Sequence, residues 1–177
     1  VCRHYLWLTS CVGINGYEKD YVKGDKIGSH RLSFYDEHFS EYLWKKIQSG
    51  MESFYYFSDK DSTDFYPNNV YRPIGINPLM RVIKYSGNSN GLVGHYDAPY
   101  DFKDGRKTLM SMVIYLTDHT YNDGGTTRFL KDKYDKIPVN KRDLSDKKTL
   151  GNSENVLYEL RPISGNAVIF NHRILHD

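Results

Sequence analysis

Short runs of apolar and β-branched residues, separated by turn-forming residues, dominate the chain from residue 79 onward. Residues 79–85 alternate loosely between apolar and polar side chains, whereas residues 108–116 are almost continuously apolar. Alternation is typical of a strand with one buried face, and a continuous apolar run indicates a strand buried on both faces. Further short runs follow at 126–130, 155–160 and 166–170. This succession predicts a mainly β fold, either a sandwich or a barrel, rather than a parallel α/β sheet.

Residues 36–49 carry the clearest helical pattern. Apolar side chains recur there at four-residue spacing, at Phe39, Leu43 and Ile47. Asp36 is suited to the N-cap position, two lysines lie near the other end, and Gly50 follows. We therefore expect N-terminal helical structure that covers one face of the sheet.

Length and composition favour a single domain over residues 1–177, with its core in residues 70–177. The net charge of +2 provides no basic surface of the kind that nucleic acid requires, so a nucleic-acid partner is not expected. Hydrophobic residues make up 39% of the chain, and none of its apolar runs approaches the ~20 residues that span a bilayer. The sequence does not predict an oligomeric state.

The beginning of the chain lacks the long apolar stretch of a signal peptide. Cys2 and Cys11 can in principle pair, but free thiols in a reducing compartment are the favoured interpretation. Together these features predict a soluble, cytoplasmic protein. Residues 131–154 are highly charged and poor in apolar side chains, which predicts either a solvated loop or a segment that closes over the site.

Three residues have the types and spacing of a metal site. His95 and Asp97 are separated by one residue at the end of a strand-like run, so their side chains project to the same face. His176 ends a later apolar run, which we expect to lie beside the first, although His172 competes for this third position. Two imidazoles and one carboxylate on one face of a metal leave open positions, as in non-haem Fe(II) oxygenases. The alternative is a hydrogen-bonded pair on a surface loop.

The motifs around these residues resemble, in their order and spacing, the 2-oxoglutarate/Fe(II)-dependent dioxygenases of the prolyl 4-hydroxylase type. In chain order they are Arg72-Pro73-Ile74-Gly75-Ile76-Asn77, Arg81-Val82-Ile83-Lys84-Tyr85, His95-Tyr96-Asp97, Tyr115-Leu116, Gly124-Gly125-Thr126-Thr127-Arg128-Phe129-Leu130, Gly165-Asn166-Ala167-Val168-Ile169-Phe170 and His176-Asp177. The resemblance covers roughly residues 70–177, with a fainter match over the predicted helix.

The resemblance implies a double-stranded β-helix (jelly roll) with flanking N-terminal helices. It also implies that Fe(II) is held by His95, Asp97 and His176, the catalytic residues. Tyr85 and Tyr115 resemble the tyrosines that contact 2-oxoglutarate, although both can instead be core aromatics. The co-substrates implied are 2-oxoglutarate and O2, with ascorbate as a reductant. The implied reaction hydroxylates an aliphatic C–H of a peptide, a protein or a small molecule, and a peptidyl proline is the favoured target.

One family feature is missing. The family carries a Lys or Arg about ten residues after the distal histidine, which binds the C5 carboxylate of 2-oxoglutarate, whereas the given sequence stops at Asp177. We expect the last strands to be missing from the given chain. Alternatively, another basic residue substitutes, with Arg81 and Arg128 as the candidates, or the domain does not use 2-oxoglutarate in the usual way. The rival hypothesis is a non-catalytic jelly-roll domain that binds or assembles. A hydrolytic zinc site is less favoured, because the sequence lacks a His-Glu-x-x-His helix.

Overall fold

The computed structural model describes residues 2–7, 17–19, 29–57, 69–85, 92–120, 124–132 and 153–177. Within these residues the fold is mainly β, with ten strands and one α-helix. The elements are β1 (Cys2–Trp7), β2 (Tyr17–Lys19), β3 (Ser29–Tyr35), α1 (Glu37–Ile47), β4 (Tyr55–Phe57), β5 (Asn69–Ile76), β6 (Leu79–Tyr85), β7 (Arg106–Ile114), β8 (Thr127–Leu130), β9 (Val156–Leu160) and β10 (Ala167–Asn171).

The largest sheet has five strands in the order β10-β7-β1-β5-β4. β10 pairs antiparallel with β7, and β4 pairs antiparallel with β5. β1 lies between β5 and β7 and is parallel to both of them, so this sheet is mixed. Residues 2–7 therefore supply the central strand of this sheet.

Two smaller sheets complete the described fold. β2, β3 and β6 form a three-stranded antiparallel sheet, and β8 pairs antiparallel with β9. Residues 174–177 run along the free edge of β8, where the main chains of Arg128 and Asp177 exchange hydrogen bonds of 3.0 Å. The segment around His95 pairs in turn with residue 176. We call this combination of β9, β8, residues 174–177 and residue 95 the ligand sheet.

The helix predicted at residues 36–49 is confirmed as α1. The Asp36 side chain accepts a hydrogen bond of 2.8 Å from the Phe39 backbone N–H, as an N-cap should. The 3₁₀ turn Gln48–Gly50 ends the helical segment. α1 is the only α-helix in the described residues, so further flanking helices elsewhere in the chain stay a prediction.

The predicted apolar face of α1 is wrong at one of its three residues. Phe39 was expected to be buried but is 40% exposed, and it stacks on the exposed Tyr42 with ring centroids 6.3 Å apart. The side chains that turn inward are Ser40, Leu43, Trp44 and Ile47. Their spacing of three and four residues follows the 3.6-residue period more closely than the uniform spacing of four.

The main core lies where α1 meets β5, β6 and β7. Ile76, Met80 and Met112 are buried there, with side chains of α1 packed against them. A second cluster joins Leu130 and Leu175 within the ligand sheet. A third cluster lies between β5 and β7, so the large sheet contributes to two apolar clusters and the ligand sheet to one.

The predicted strands agree closely with those observed. The strand at 79–85 is confirmed with identical bounds, and the runs at 126–130, 155–160 and 166–170 correspond to β8, β9 and β10 within one residue at each end. The interior of β7 is almost completely buried, as its apolar run predicted, although the strand ends at Ile114 rather than at residue 116.

Two predictions concern residues or side chains that the structure does not describe. Most of the segment at 131–154 lies there, so its role as a solvated loop or a closing segment stays a prediction. The same holds for the thiols of Cys2 and Cys11. Among the described residues, no helix has the length and apolar character needed to cross a membrane.

Candidate metal centre

His95 and His176 lie opposite each other on two antiparallel segments. The His95 N–H donates to the His176 carbonyl at 2.8 Å, and the His176 N–H donates to the His95 carbonyl at 3.0 Å. The centroids of the two imidazole rings are 4.3 Å apart. His176 also forms a bridge with Phe129 of β8. The predicted proximity of the two histidines is therefore observed, and it is set by main-chain pairing.

Asp97 turns to the same side as His95, as predicted from alternation along an extended segment. Tyr96, the residue between them, packs instead against the cluster of Leu130 and Leu175. Burial of this tyrosine on one face of the segment places the His95 and Asp97 side chains on the other.

The three side chains converge on one point. His95 Nε2 lies 3.6 Å from Asp97 Oδ1, and His176 Nε2 lies 3.7 Å from Asp97 Oδ2. Two atoms that bind the same metal ion, each at about 2.1 Å, lie no more than about 4.2 Å apart, and both separations are below this limit. One potential ligand atom from each residue lies within 4.8 Å of the others. These three residues, which we call the ligand triad, can therefore hold a metal ion.

Backbone carbonyls fix the orientation of both imidazoles. The carbonyl oxygen of Val93 lies 3.0 Å from His95 Nδ1, and that of Ile174 lies 2.9 Å from His176 Nδ1. Because a carbonyl only accepts hydrogen bonds, each Nδ1 must carry the proton. The lone pair of each neutral ring is then on Nε2, the nitrogen that faces Asp97. Each histidine therefore sits two residues after the carbonyl that orients it.

The protonation states of Asp97 and His176 suit a metal ligand set. Burial alone would raise the pKa of the Asp97 carboxyl, but the neighbouring imidazoles of His95 and His176 and the hydrogen bond from Ser111 lower this pKa to about 2. Asp97 is therefore ionised at neutral pH. Burial and the neighbouring His95 lower the pKa of His176, which favours its neutral imidazole. Metal binding requires a carboxylate and neutral imidazoles.

Two phenylalanines cover one side of His176. The Phe170 ring meets the His176 imidazole edge-on with centroids 4.6 Å apart, and Phe129 meets Phe170 edge-on at 5.2 Å. Phe170 comes from β10 of the large sheet, whereas Phe129 comes from β8. Apolar rings from both sheets therefore lie on one side of the imidazole and restrict water there.

Ser111 is part of the site but was not identified from the sequence. It lies inside β7, is completely buried, and its hydroxyl donates a hydrogen bond to Asp97 Oδ2. The only signal in the sequence was a serine within the almost continuously apolar run at residues 108–116. A buried hydroxyl requires a partner, and here the partner is a ligand-triad carboxylate.

His172, the competing candidate for the third ligand, is not part of the triad. It is 1% exposed and lies in the turn after β10, where its backbone N–H donates to the Leu109 carbonyl at 3.1 Å. Burial lowers the pKa of its imidazole. His172 is therefore a packed neutral histidine beside the site, and His176 occupies the third position of the triad.

The two candidate co-substrate tyrosines lie in different surroundings. Tyr115 follows β7 directly, and its half-buried hydroxyl donates to Thr127 Oγ1 of β8 at 2.8 Å. Burial raises the pKa of this phenol. Tyr85 is the last residue of β6 in the three-stranded sheet and is 42% exposed. The structure therefore connects Tyr115 to the ligand sheet and places Tyr85 on a separate one.

Arg128, one of the two candidate anchors for a carboxylate, has a partner within the chain. Its Nε and Nη2 atoms donate to the two carboxylate oxygens of Asp177 at 2.8 and 2.7 Å. This bidentate pairing raises the pKa of the Arg128 guanidinium. The Arg128 guanidinium therefore binds the side chain of Asp177, the residue after His176. Arg81, the other candidate, lies within β6 and is partly buried.

Comparisons of the chain with protein-family models, with curated proteins and with solved structures find no match. Its function is therefore inferred from its own residues and their arrangement.

Proposed function

We propose that this protein is an Fe(II)- and 2-oxoglutarate-dependent dioxygenase that hydroxylates an aliphatic C–H bond. The observation that carries the proposal is the convergence of two imidazole Nε2 atoms, each with its Nδ1 bonded to a carbonyl, on the ionised carboxylate of Asp97. Two histidines and one carboxylate, with open positions opposite, are the ligand set of non-haem Fe(II) oxygenases.

The residues present fit ferrous iron. Its ligands would be His95, Asp97 and His176, and imidazole and carboxylate donors suit Fe(II). When bound, iron and 2-oxoglutarate supply the O2-dependent oxidation that protein side chains lack, and ascorbate serves as the reductant. The carbonyls of Val93 and Ile174 fix the orientation of the two imidazole rings. Outer contacts of this kind fix the tautomer and orientation of metal-binding histidines.

The protein itself contributes orientation and exclusion of water. Phe129 and Phe170 shield His176, and the triad carboxylate is almost fully buried. A site with low water content strengthens electrostatic interactions and prevents side reactions of a strong oxidant. Both effects favour controlled oxidation of one C–H bond over uncoupled turnover.

A double-stranded β-helix is the fold that we propose for the complete arrangement. In its favour, the two triad histidines lie on the ligand sheet, while Ser111 and Phe170 approach the triad from β7 and β10 of the large sheet. Two sheets that share one site between them are what a jelly roll provides.

The binding site for 2-oxoglutarate is proposed to include Tyr115 and Tyr85. Tyr115 is favoured, because its hydroxyl already bonds to β8, the strand beside His176. Tyr85 is kept as a candidate on its motif alone. Since Arg128 is bound to Asp177, we do not assign it as the anchor of the C5 carboxylate.

The substrate is proposed to be a peptide or protein, with a peptidyl proline favoured by the motif resemblance, or else a small molecule. The net charge of +2 gives no support to a nucleic-acid substrate.

The proposal is tested by measuring succinate formed from 2-oxoglutarate by the full-length protein with Fe(II) and ascorbate under air. No substrate is needed, because uncoupled decarboxylation also releases succinate. We expect succinate from the wild type and from Asp104→Ala, which removes an exposed carboxylate. Asp97→Ala should form none while keeping its fold, as checked by circular dichroism.

Two results would replace this proposal with a rival. Tight Fe(II) binding without 2-oxoglutarate binding in the folded wild type would favour a non-catalytic jelly-roll domain. Purification with stoichiometric zinc and hydrolytic activity that needs Asp97 would favour a zinc hydrolase, since catalytic zinc also accepts two histidines and a carboxylate.

A further inference from the structure

Ser111 approaches the ligand triad from the opposite sheet and bonds to one oxygen of Asp97. It lies in the middle of β7, opposite Phe170 of β10, and is completely buried. Its hydroxyl donates to Asp97 Oδ2, which also lies 3.7 Å from His176 Nε2, whereas Asp97 Oδ1 lies 3.6 Å from His95 Nε2. The two oxygens of one carboxylate therefore have different surroundings.

This asymmetry bears on how the carboxylate can bind a metal. Carboxylates bind metal ions through one oxygen or through both. An oxygen that already accepts a hydrogen bond from a buried hydroxyl has given up part of its capacity as a donor to metal. Moving Oδ2 toward the metal would also leave the Ser111 hydroxyl without its partner inside the protein, which is costly.

We infer that Ser111 is a positioning residue that makes Asp97 bind the metal through Oδ1 alone and so keeps the position required by a chelating 2-oxo acid. This inference rests on the proposed function. With two imidazoles and one carboxylate oxygen, the protein fills half of the six positions of an octahedral ion. A second carboxylate oxygen would fill one more and compete with the incoming co-substrate.

The experiment measures the affinities for metal and for 2-oxoglutarate separately, without oxygen. Fe(II) binding is measured first by titration calorimetry. Binding of 2-oxoglutarate to the Fe(II) protein is then measured from its visible metal-to-ligand charge-transfer band.

Four variants separate the hydroxyl from its surroundings. Ser111→Ala removes the hydroxyl, and Ser111→Thr and Ser111→Val form a pair of nearly equal shape that differs in the hydroxyl alone. Ser33→Ala removes a buried serine hydroxyl from β3, in another sheet. The Thr and Val pair decides the question if Ser111→Ala does not fold.

We expect Ser111→Ala and Ser111→Val to bind Fe(II) within about threefold of the wild type, but to bind 2-oxoglutarate at least tenfold more weakly. Ser111→Thr should restore the affinity for 2-oxoglutarate, and Ser33→Ala should match the wild type.

Equal 2-oxoglutarate affinity in the Thr and Val variants would overturn the inference while leaving the proposed function intact. Parallel losses of Fe(II) and 2-oxoglutarate affinity would also overturn it, since Ser111 would then only support the site. Failure of the wild type to bind 2-oxoglutarate would instead count against the proposed function.

Discussion

The main chains of His95 and His176 exchange two hydrogen bonds, at 2.8 and 3.0 Å, so the two residues are direct cross-strand neighbours. A metal ion bound by both rings would cross-link the same two segments a second time. Because binding to the folded state alone stabilises it, metal affinity should be visible in the thermal stability of the protein.

The first prediction concerns this stabilisation. Fe(II) or Co(II) at a hundred times its dissociation constant should stabilise the protein by about 2.7 kcal/mol and raise Tm by roughly 5–10 °C. The shift should disappear in His176→Ala and persist in His172→Gln, and is measured within each variant by differential scanning fluorimetry under nitrogen. A shift that depends on His172 instead would move the third ligand there.

The second prediction concerns the pair of Arg128 and Asp177. Arg128→Met leaves the buried Asp177 carboxylate without its bidentate partner, so the free energy of unfolding should fall by about 2–3 kcal/mol. The double variant with Asp177→Asn should recover part of this loss, and Lys131→Met, which removes an exposed charge, should change little. Urea denaturation measures all of them. Additive effects of the two substitutions would show that the pair has no coupling.

The third prediction compares the two tyrosines. Tyr115→Phe removes the hydrogen bond to Thr127, so we expect a loss of about 1 kcal/mol in stability together with a higher KM for 2-oxoglutarate. Tyr85→Phe should raise this KM with little effect on stability, because Tyr85 is exposed. Succinate assays and urea denaturation test both. An unchanged KM in either variant would assign that tyrosine to packing.

The fourth prediction concerns the helix that covers the main core. Asp36→Ala removes the acceptor for the Phe39 N–H and should destabilise the protein by about 1 kcal/mol. Asp36→Asn retains an acceptor and should cost much less. Equal losses in the two variants would mean that the charge of Asp36, rather than its hydrogen bond, stabilises α1.

Local patterns predicted the secondary structure well where one rule dominated. The cap at Asp36 and the strand Leu79–Tyr85 were read from the sequence because capping and alternation depend on near neighbours. The grouping of His95, Asp97 and His176 followed from motif order. In each case the sequence pattern and the tertiary environment agree.

Relationships between distant segments were not predictable in the same way. The parallel pairing of β1 with β5 and β7 depends on contacts far apart in the chain, which no local pattern encodes. Ser111 was overlooked because its partner is 14 residues away in sequence. Phe39 was assigned to the core because a spacing of four fits a helix only approximately.

The pairing of residue 95 with residue 176 also determines when a site can exist during synthesis. Residue 176 lies 81 positions after residue 95 (176 − 95), and β7, β8, β9 and β10 all lie between them. A growing chain that has already made His95 and Asp97 has only two of the three ligands in place. The ability to capture metal therefore comes late, after the ribosome has released residue 176 and the two segments have paired.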